Sequence, residues 1–176
     1  ADTHALALGD LDSDGDLDAF VGNMDGEPDE IWLNDGSGAF TDSGQRLGTQ
    51  ATWTVRLGDV NSDGSLDAFT GQVAYGLVSD QENHVWLNDG SATFSDSGQQ
   101  LGAYDSLAVA LGDVDGDGDL DAFVGNSNGL WQPNVVYRNR TISVLVDAER
   151  GGTLSYGDEW FGETTVVIPP GAVRVP

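Results

Sequence analysis

The chain has 176 residues, 39% of them hydrophobic, which is enough for one domain with a buried core. Its formal net charge is −24, from 30 acidic residues against six arginines and no lysine, which excludes nucleic acid and anionic membrane surfaces as natural partners. Cysteine is absent, so there are no disulfides, and no apolar run approaches the roughly 20 residues needed to span a bilayer.

In chain order, the first predicted element is a short apolar strand, and an acidic loop follows it directly. Both recur twice further along the chain. The three copies of the strand are Ala5–Leu8, Thr54–Leu57 and Ala108–Leu111. Their small side chains suit the narrow centre of a ring of packed sheets, where each sheet lies between two neighbours.

The acidic loop has the pattern D-x-[DN]-x-D-G-x-x-D in all three copies. The residues at positions 1, 3, 5, 7 and 9 are Asp10, Asp12, Asp14, Asp16 and Asp18 in the first copy; Asp59, Asn61, Asp63, Ser65 and Asp67 in the second; and Asp113, Asp115, Asp117, Asp119 and Asp121 in the third. Side chains at positions 1, 3, 5 and 9 converge only if the backbone turns sharply, which the glycine at position 6 permits.

Crowded carboxylates repel one another unless a cation lies among them, so each loop is predicted to be a metal site. Hard oxygen ligands in a flexible set of 6–8 favour Ca²⁺ over Mg²⁺. We expect side-chain ligands at positions 1, 3, 5 and 9 and a backbone carbonyl at position 7, because Ser65 replaces aspartate there. The alternative, three solvated acidic turns, does not explain a spacing that recurs three times.

An EF-hand is excluded, because that loop needs glutamate at position 12. Val21, Thr70 and Val124 occupy this position, and the flanking sequence has the pattern of a strand rather than a helix. The three calcium sites are also expected to differ in affinity. Asn61 leaves the second loop with one negative ligand fewer, so this loop is predicted to bind Ca²⁺ most weakly.

Three further strands follow each loop, which gives four strands in about 50 residues, the period of a propeller blade. The second strands of the three units are Leu17–Gly22, Leu66–Gly71 and Leu120–Gly125. The third and fourth strands are joined by an Asn-Asp-Gly turn, which is a hairpin signal. The third strands are Ile31–Asn34 and Val85–Asn88, and the fourth are Phe40–Gly48 and Phe94–Gly102. Trp32 and Trp86 recur at one strand position and are predicted to pack between blades.

These units resemble the FG-GAP (VCBS) repeats of integrin-α-like β-propellers over about residues 3–140. The resemblance rests on the calcium loop, the D-A-F-[VT]-G strand and the W-L-N-D-G hairpin. It implies an all-β fold with blades at about 3–48, 52–102 and 106–140. It also implies that structural calcium lies on one face of the propeller, and that ligands meet the opposite face, built from the 2–3 and 4–1 loops.

Two departures from the family pattern leave the assembly open. Three blades cannot close a propeller, which needs roughly four to eight. The third blade is also degenerate, with Val135–Asn139 aligned to the V-W-L-N-D segment. We therefore expect that the chain is part of a longer propeller, or that copies associate as a homo-oligomer to complete the ring.

The C-terminal segment 141–176 contains predicted strands at Thr141–Val146 and Thr164–Ile168. The first is expected to supply the missing outer strand of blade three. Alternatively, the stretch from Gly151 to Val173 resembles the start of the β-sandwich domains of ankyrins and netrin receptors, so the segment begins a second domain.

Aromatic residues at or near the predicted ligand face are candidates for stacking on sugar rings or anchoring a protein. They are Trp53, Tyr75, Tyr104 and Trp131, and ordinary packing under loops is the equal alternative. Arg56 interrupts an apolar strand and is expected to pair with a carboxylate, or to bind an acidic ligand in the channel. His84 is expected to lie on a surface loop.

No nucleophile pattern accompanies either histidine, and a phosphate-binding loop needs the lysine that is absent, so no enzymatic activity is predicted. We expect a calcium-stabilised, extracellular propeller module for adhesion or for recognition of a protein or glycan. The alternatives are a self-assembly module of an extracellular polymer and a non-catalytic carbohydrate-binding propeller of a larger enzyme. Millimolar extracellular calcium makes a secreted or surface location the natural one for such sites.

Overall fold

The computed structural model describes residues 2–74, 82–127 and 132–139, together with the backbone of two further strands, Gly152–Asp158 and Gly162–Ile168. The described residues form strands and turns without an α-helix, and so they contain no helix that is long and apolar enough to cross a membrane. The all-β prediction is confirmed. Alternating side chains, β-branched residues and glycine-rich connections drive these segments into strands.

Three antiparallel sheets follow one another along the chain, and we refer to them as blades one, two and three. Blade one contains β1 (Thr3–Gly9), β2 (Asp18–Asn23), β3 (Asp29–Asn34) and β4 (Phe40–Leu47), with each strand paired to the next. Blade two repeats this order with β5 (Ala51–Gly58), β6 (Asp67–Val73), β7 (His84–Asn88) and β8 (Phe94–Asp96). The predicted four-stranded meander is therefore present in both.

Blade three contains β9 (Ser106–Gly112), β10 (Asp121–Asn126) and β11 (Val135–Tyr137) in its described part. Farther along, β12 (Gly152–Asp158) and β13 (Gly162–Ile168) form a two-stranded antiparallel hairpin. The predicted strand at 141–146 lies outside the described residues. The division of the chain at residue 140, and the role of the C-terminal segment, stay predictions.

The strand register corrects the alignment of the third blade by one residue. Ala122 pairs with Tyr137, just as Ala68 pairs with Trp86 in blade two. Tyr137 therefore takes the tryptophan position, and Asn139, rather than Arg138, corresponds to Asn88. Sequence alignment missed this because a tyrosine and an arginine replace the tryptophan and leucine that made the motif recognisable.

Two apolar clusters fill the spaces between neighbouring blades. The first joins the inward side chains of blade one, such as Phe20 and Ile31, to Val55 and Trp86 of blade two. The second joins Phe69 and other residues of blade two to β9, β10 and Tyr137. Burial of these clusters is the main favourable contribution to folding, at roughly 25 cal/mol per Å² of apolar surface.

Trp86 confirms the prediction of packing between blades, because it is 6% exposed within the first cluster. Trp32, at the same position of blade one, is only half-buried, and its indole N–H donates to the carboxylate of Glu30 at 3.0 Å. Trp32 lies on the side of blade one opposite to blade two, where no blade among the described residues covers it. For Trp32, packing between blades stays a prediction.

Candidate metal centre and opposite face

The three acidic loops join the first and second strands of their blades, so all three lie on one face of the molecule. The glycines at position 6 have left-handed backbone, with φ of +96° at Gly15, +92° at Gly64 and +98° at Gly118. In each loop the backbone N–H of this glycine donates to the carboxylate at position 1, at 3.0–3.1 Å. The sharp turn expected from the sequence is therefore present three times.

Side chains at positions 3 and 5 also accept hydrogen bonds from the backbone two residues ahead. Asp12 accepts from the N–H of Asp14 at 3.2 Å, and Asp14 accepts from the N–H of Asp16 at 2.9 Å. Asn61 and Asp63 do the same in the second loop. These bonds hold the side chains over the interior of the loop, where their remaining lone pairs are free to bind a cation.

The aspartate at position 9 has a structural role that sequence reasoning missed. Asp18, Asp67 and Asp121 are each 0% exposed. One oxygen of each accepts the N–H of the residue at position 2, at 2.8–3.1 Å. The other accepts the N–H of an asparagine that follows or ends the third strand, at 2.8–2.9 Å. This carboxylate therefore fastens the loop to the sheet, and the recurrence of that asparagine was the available signal.

Carboxylates converge most closely in the first and third loops. Oxygens of Asp10, Asp12 and Asp18 lie within 4.8 Å of one another, and so do oxygens of Asp113, Asp115 and Asp117. The first group contains position 9 but not position 5, and the third contains position 5 but not position 9. Within the described part of the chain, the second loop forms no such group of three acids.

Asn61 explains why the second loop differs. Its side-chain NH₂ donates to Asp63 at 2.8 Å, so an attraction replaces the repulsion found at this place in the other loops. The N–H of Ser65 and then the Asn61 amide lower the pKa of Asp63. In the first loop, burial raises the pKa of Asp12, and the nearby carboxylates of Asp18, Asp14 and Asp10 add to the increase.

The donor set fits a hard cation. The Oδ1 atom of Asp10 is buried and has no hydrogen-bond partner among the described residues, although its other oxygen is bonded to Gly15. A buried, unpaired carboxylate oxygen is costly, and a bound cation removes that cost. All side chains in these loops that could bind a metal carry oxygen, which is the donor that Ca²⁺ and Mg²⁺ prefer.

The side chains at position 7 point toward the Asn-Asp-Gly turn of their own blade. A Cβ atom on Gly36 would lie 2.4 Å from the carboxylate of Asp16, and one on Gly90 would lie 3.0 Å from the hydroxyl of Ser65. The side chains of Asp16 and Ser65 therefore lie beside the turn of their own blade. The expected backbone carbonyl ligand at position 7 stays a prediction.

The first and second acidic loops also contact the next blade. The carbonyl of Leu11 accepts hydrogen bonds from the Asn88 side chain and the Ala92 N–H, both at 2.8 Å. The side chain of Asn139 donates in the same way to the carbonyl of Val60 in the second loop. An ordered acidic loop therefore supports the joint between blades as well as its own blade.

The opposite face is less well defined for recognition. Trp53 packs against the tilted ring of His4 with a centroid distance of 3.9 Å, and also against Met24, Ala51 and Val73. Tyr104 is 37% exposed in the connection between blades two and three. The other two predicted aromatics, Tyr75 and Trp131, lie outside the described residues. Of the two candidates that the structure describes, Trp53 therefore has a packing role, and Tyr104 is the exposed aromatic residue.

Two other sequence expectations need correction. His84 is 8% exposed in β7, where its ring stacks on Trp86 at 5.6 Å and the neighbouring Asn83 forms a backbone bridge with Leu101. Arg56 has an exposed side chain that donates to the carbonyl of Val55 at 2.7 Å. Since it is not buried, it needs no counter-ion, and the described residues place no carboxylate in ion-pair contact with it.

Comparison with known families decides the classification. The FG-GAP-like repeat matches residues 10–70 and 72–124, which is more than half of the chain. The chain belongs to the FG-GAP-like repeat family. The first match covers the first two acidic loops, and the second match reaches the third loop, so FG-GAP-like repeats account for all three loops. No curated protein matches the chain.

Proposed function

We propose that this FG-GAP-like repeat protein is a calcium-stabilised propeller module that acts outside the cell in adhesion or ligand recognition. The observation that supports it most directly is the buried, unpaired Oδ1 of Asp10 within a group of three converging carboxylates. Extracellular calcium is concentrated enough to fill such oxygen sites, which supports a secreted or surface location.

Calcium has a structural role in this proposal. The first and second acidic loops carry hydrogen bonds to the following blade, so neutralising their charge strengthens each of these blades and the joint beside it. A ligand that binds only the folded state at 100 times its Kd stabilises a protein by roughly 2.7 kcal/mol per site. Three such sites are comparable with the whole stability of a small domain, about 5–15 kcal/mol.

Calorimetric titration of the calcium-free chain with Ca²⁺ tests this part of the proposal. We expect three binding events and a large rise in Tm. Asp10→Asn should weaken one event, because it removes a converging charge. Asp25→Asn is the matched control, since it removes the same charge from an exposed residue in the 2–3 loop on the opposite face. Absence of binding heat and of any Tm shift in millimolar Ca²⁺ contradicts the proposal.

Recognition is assigned to the face opposite the loops, because connections of different length are presented there by a rigid scaffold. Tyr104, with 37% exposure, is the described aromatic best placed to stack on a sugar or anchor a protein side chain. The histidines are engaged in ring contacts, His4 with Trp53 and His84 with Trp86, and the proposal assigns them no catalytic role.

A screen of glycans and extracellular proteins in the presence of Ca²⁺ tests the recognition proposal. Tyr104→Ala should weaken the binding of a retained ligand without lowering Tm. Ser95→Ala is the control, because Ser95 is exposed but lies on the outer strand of blade two, away from this face. Equal losses for the two variants contradict the assignment to this face.

A further inference from the structure

Blade two is covered on both sides, whereas blades one and three each have one side that no described residue covers. We define the front face of a blade as the side toward the preceding blade, and the rear face as the side toward the following blade. The two joints inside the chain are each made by the rear face of one blade and the front face of the next. The front face of blade one and the rear face of blade three are left over.

Each internal joint contains a lock between a glycine and a pair of leucines. A Cβ atom on Gly9 would lie 2.7 Å from Leu66 and 2.9 Å from Leu57 of the next blade. A Cβ atom on Gly58 would lie 2.8 Å from Leu120 and 2.9 Å from Leu111. A side chain at either position would have to displace these leucines from the strand end that they cover, so glycine lets the two blades approach closely here.

Among the described residues, one leucine pair and one glycine of this kind have no partner blade. Leu8 and Leu17, which correspond to the leucine pairs of blades two and three, are 53% and 54% exposed on the front of blade one. At Gly112, which corresponds to Gly9 and Gly58, no atom of the described residues lies within 4 Å of where a Cβ would be.

The rest of the front face shows the same difference in exposure. Leu6 is 58% exposed, whereas Val55 and Val109, at the same position in the other blades, are 1% and 3% exposed. Phe40 is 43% exposed, whereas Phe94 is 6% exposed. Together with Trp32 and neighbouring side chains, these residues line an apolar groove of about 690 Å³.

The rear face of blade three repeats the pattern. Phe123 is 46% exposed, whereas its counterparts Phe20 and Phe69 are fully buried. Val114 is 55% exposed, although Leu11 is completely buried at the corresponding place in blade one. Large apolar side chains exposed together on each of these two faces indicate interaction surfaces.

We propose that the front face of blade one binds the rear face of blade three in a second copy of the chain, with Leu8 and Leu17 closing on Gly112. The interface continues a joint that the chain already forms twice with equivalent residues. Because the two faces differ, the contact is head-to-tail and closes into a ring when the rotation allows it. The blades described in two copies number six, within the four to eight of known propellers, so the expected product is a closed dimer.

Long-range charge opposes this association, because each copy carries a net charge of −24. The faces themselves are apolar, so salt that screens the repulsion should strengthen the dimer rather than weaken it. Bound Ca²⁺ acts in the same direction by reducing the net charge.

Light scattering after size exclusion, and sedimentation over a range of concentrations in Ca²⁺ and 0.15 M salt, test the proposal. The wild-type chain should be a dimer. Gly112→Val and Leu8→Asp should each be monomeric, with Tm close to that of a wild-type monomer, because both positions are open in the single chain. Ser95→Val, on the exposed outer strand of blade two, is the control and should remain dimeric.

Mixing the two variants gives the decisive result. Gly112→Val keeps an intact front face and Leu8→Asp keeps an intact rear face, so their mixture should form a heterodimer through one native joint. The same valine substitution at Gly58, inside the chain, should lower Tm strongly, which confirms that the lock excludes a side chain.

Three results would overturn the proposal: a monomeric wild type at all concentrations, a dimer that survives Gly112→Val, or variants that fail to associate when mixed. If Gly112→Val does not fold, the proposal still stands or falls on Leu8→Asp, which must be monomeric. Calcium titration of the same samples separates a failure of this interface from a failure of the metal sites.

Discussion

Blades one and two have closely related sequences, yet equivalent residues have different environments in the two. The strand-one residue that is Leu6 in blade one and Val55 in blade two is exposed in the first and buried in the second. The fourth strands begin with Phe40 and Phe94, and again only the second is buried. The difference in exposure does not come from the type of side chain, because the compared residues are all apolar. It arises because blade two has a neighbour on each side, as expected where repeats are stabilised by their interfaces.

The largest effect that tests this comparison is expected from truncating equivalent phenylalanines. Phe69 is completely buried between blades two and three, so Phe69→Ala should cost about 3–5 kcal/mol of unfolding free energy. Phe123→Ala, at the same position of blade three, should cost less than about 1 kcal/mol in the monomer, because that ring is 46% exposed. Chemical denaturation of both variants at low concentration measures the difference. Equal costs would show that exposure of blade three is not what separates them.

The second test concerns a position that holds a buried acid in blade one and an asparagine in blades two and three. Asp29 is 3% exposed and accepts hydrogen bonds from the N–H of Asn23 and the hydroxyl of Thr52. Asn83 and Asn134 occupy the same place in blades two and three and also accept a backbone N–H. Burial raises the pKa of Asp29 to about 7, against the opposing effect of its hydrogen bonds.

Since the pKa of Asp29 is higher in the folded state, the protonated group favours folding. Protonated Asp29 contributes up to roughly 4 kcal/mol to the free energy of unfolding. This contribution is complete below about pH 4 and is lost as the pH rises toward and through 7. Asp29→Asn should remove this pH dependence and raise Tm above pH 7, because an amide can keep the bond to Asn23 and donate to Thr52. Thermal unfolding from pH 5 to 9, with Asp25→Asn as the exposed control, checks it. A Tm lowered by Asp29→Asn at pH 8 is the opposite result.

The third test compares the acidic loops. Asn61→Asp gives the second loop the same charge as the others, so its Ca²⁺ affinity should rise about tenfold, or about 1.4 kcal/mol. In chelator the same variant should be less stable than the wild type, because it loses the amide bond to Asp63 and gains a repulsion. Calorimetric titration and Tm in Ca²⁺ and in chelator measure both effects. Three equal affinities in the wild type would contradict the ranking.

The smallest effect concerns position 4 of the loops. Ser13 and Ser62 have left-handed backbone, with φ of +66° and +61°, where the third loop has Gly116. Glycine adopts this conformation without strain, so Ser62→Gly should stabilise the chain by about 0.5–1 kcal/mol. Ser91→Gly in the turn of blade two is the control, because Ser91 does not have positive φ. A gain of the same size in both would point to an effect on the unfolded chain.

The sequence by itself determined the all-β fold, the four-stranded unit and the path of the acidic loops. These features depend on local physics: alternating side chains form strands, and Gly15, Gly64 and Gly118 permit a turn that other residues resist. The Asn-Asp-Gly turn likewise determines locally where the hairpin of the third and fourth strands turns. In the third blade, Tyr137 and Arg138 obscured the motif, and only the register of pairing with β10 placed Asn139.

Only the tertiary structure decided which copies of a repeated residue are buried. The positions of Trp32, Arg56 and His84 depend on neighbouring blades and on chain segments distant in sequence, which a single repeat does not encode. The same holds for Asp18 and its equivalents, whose bonds to the third strand form across the sheet. Burial is a property of what packs against a residue, so a repeated sequence specifies its own strands and loops but not whether a neighbour covers them.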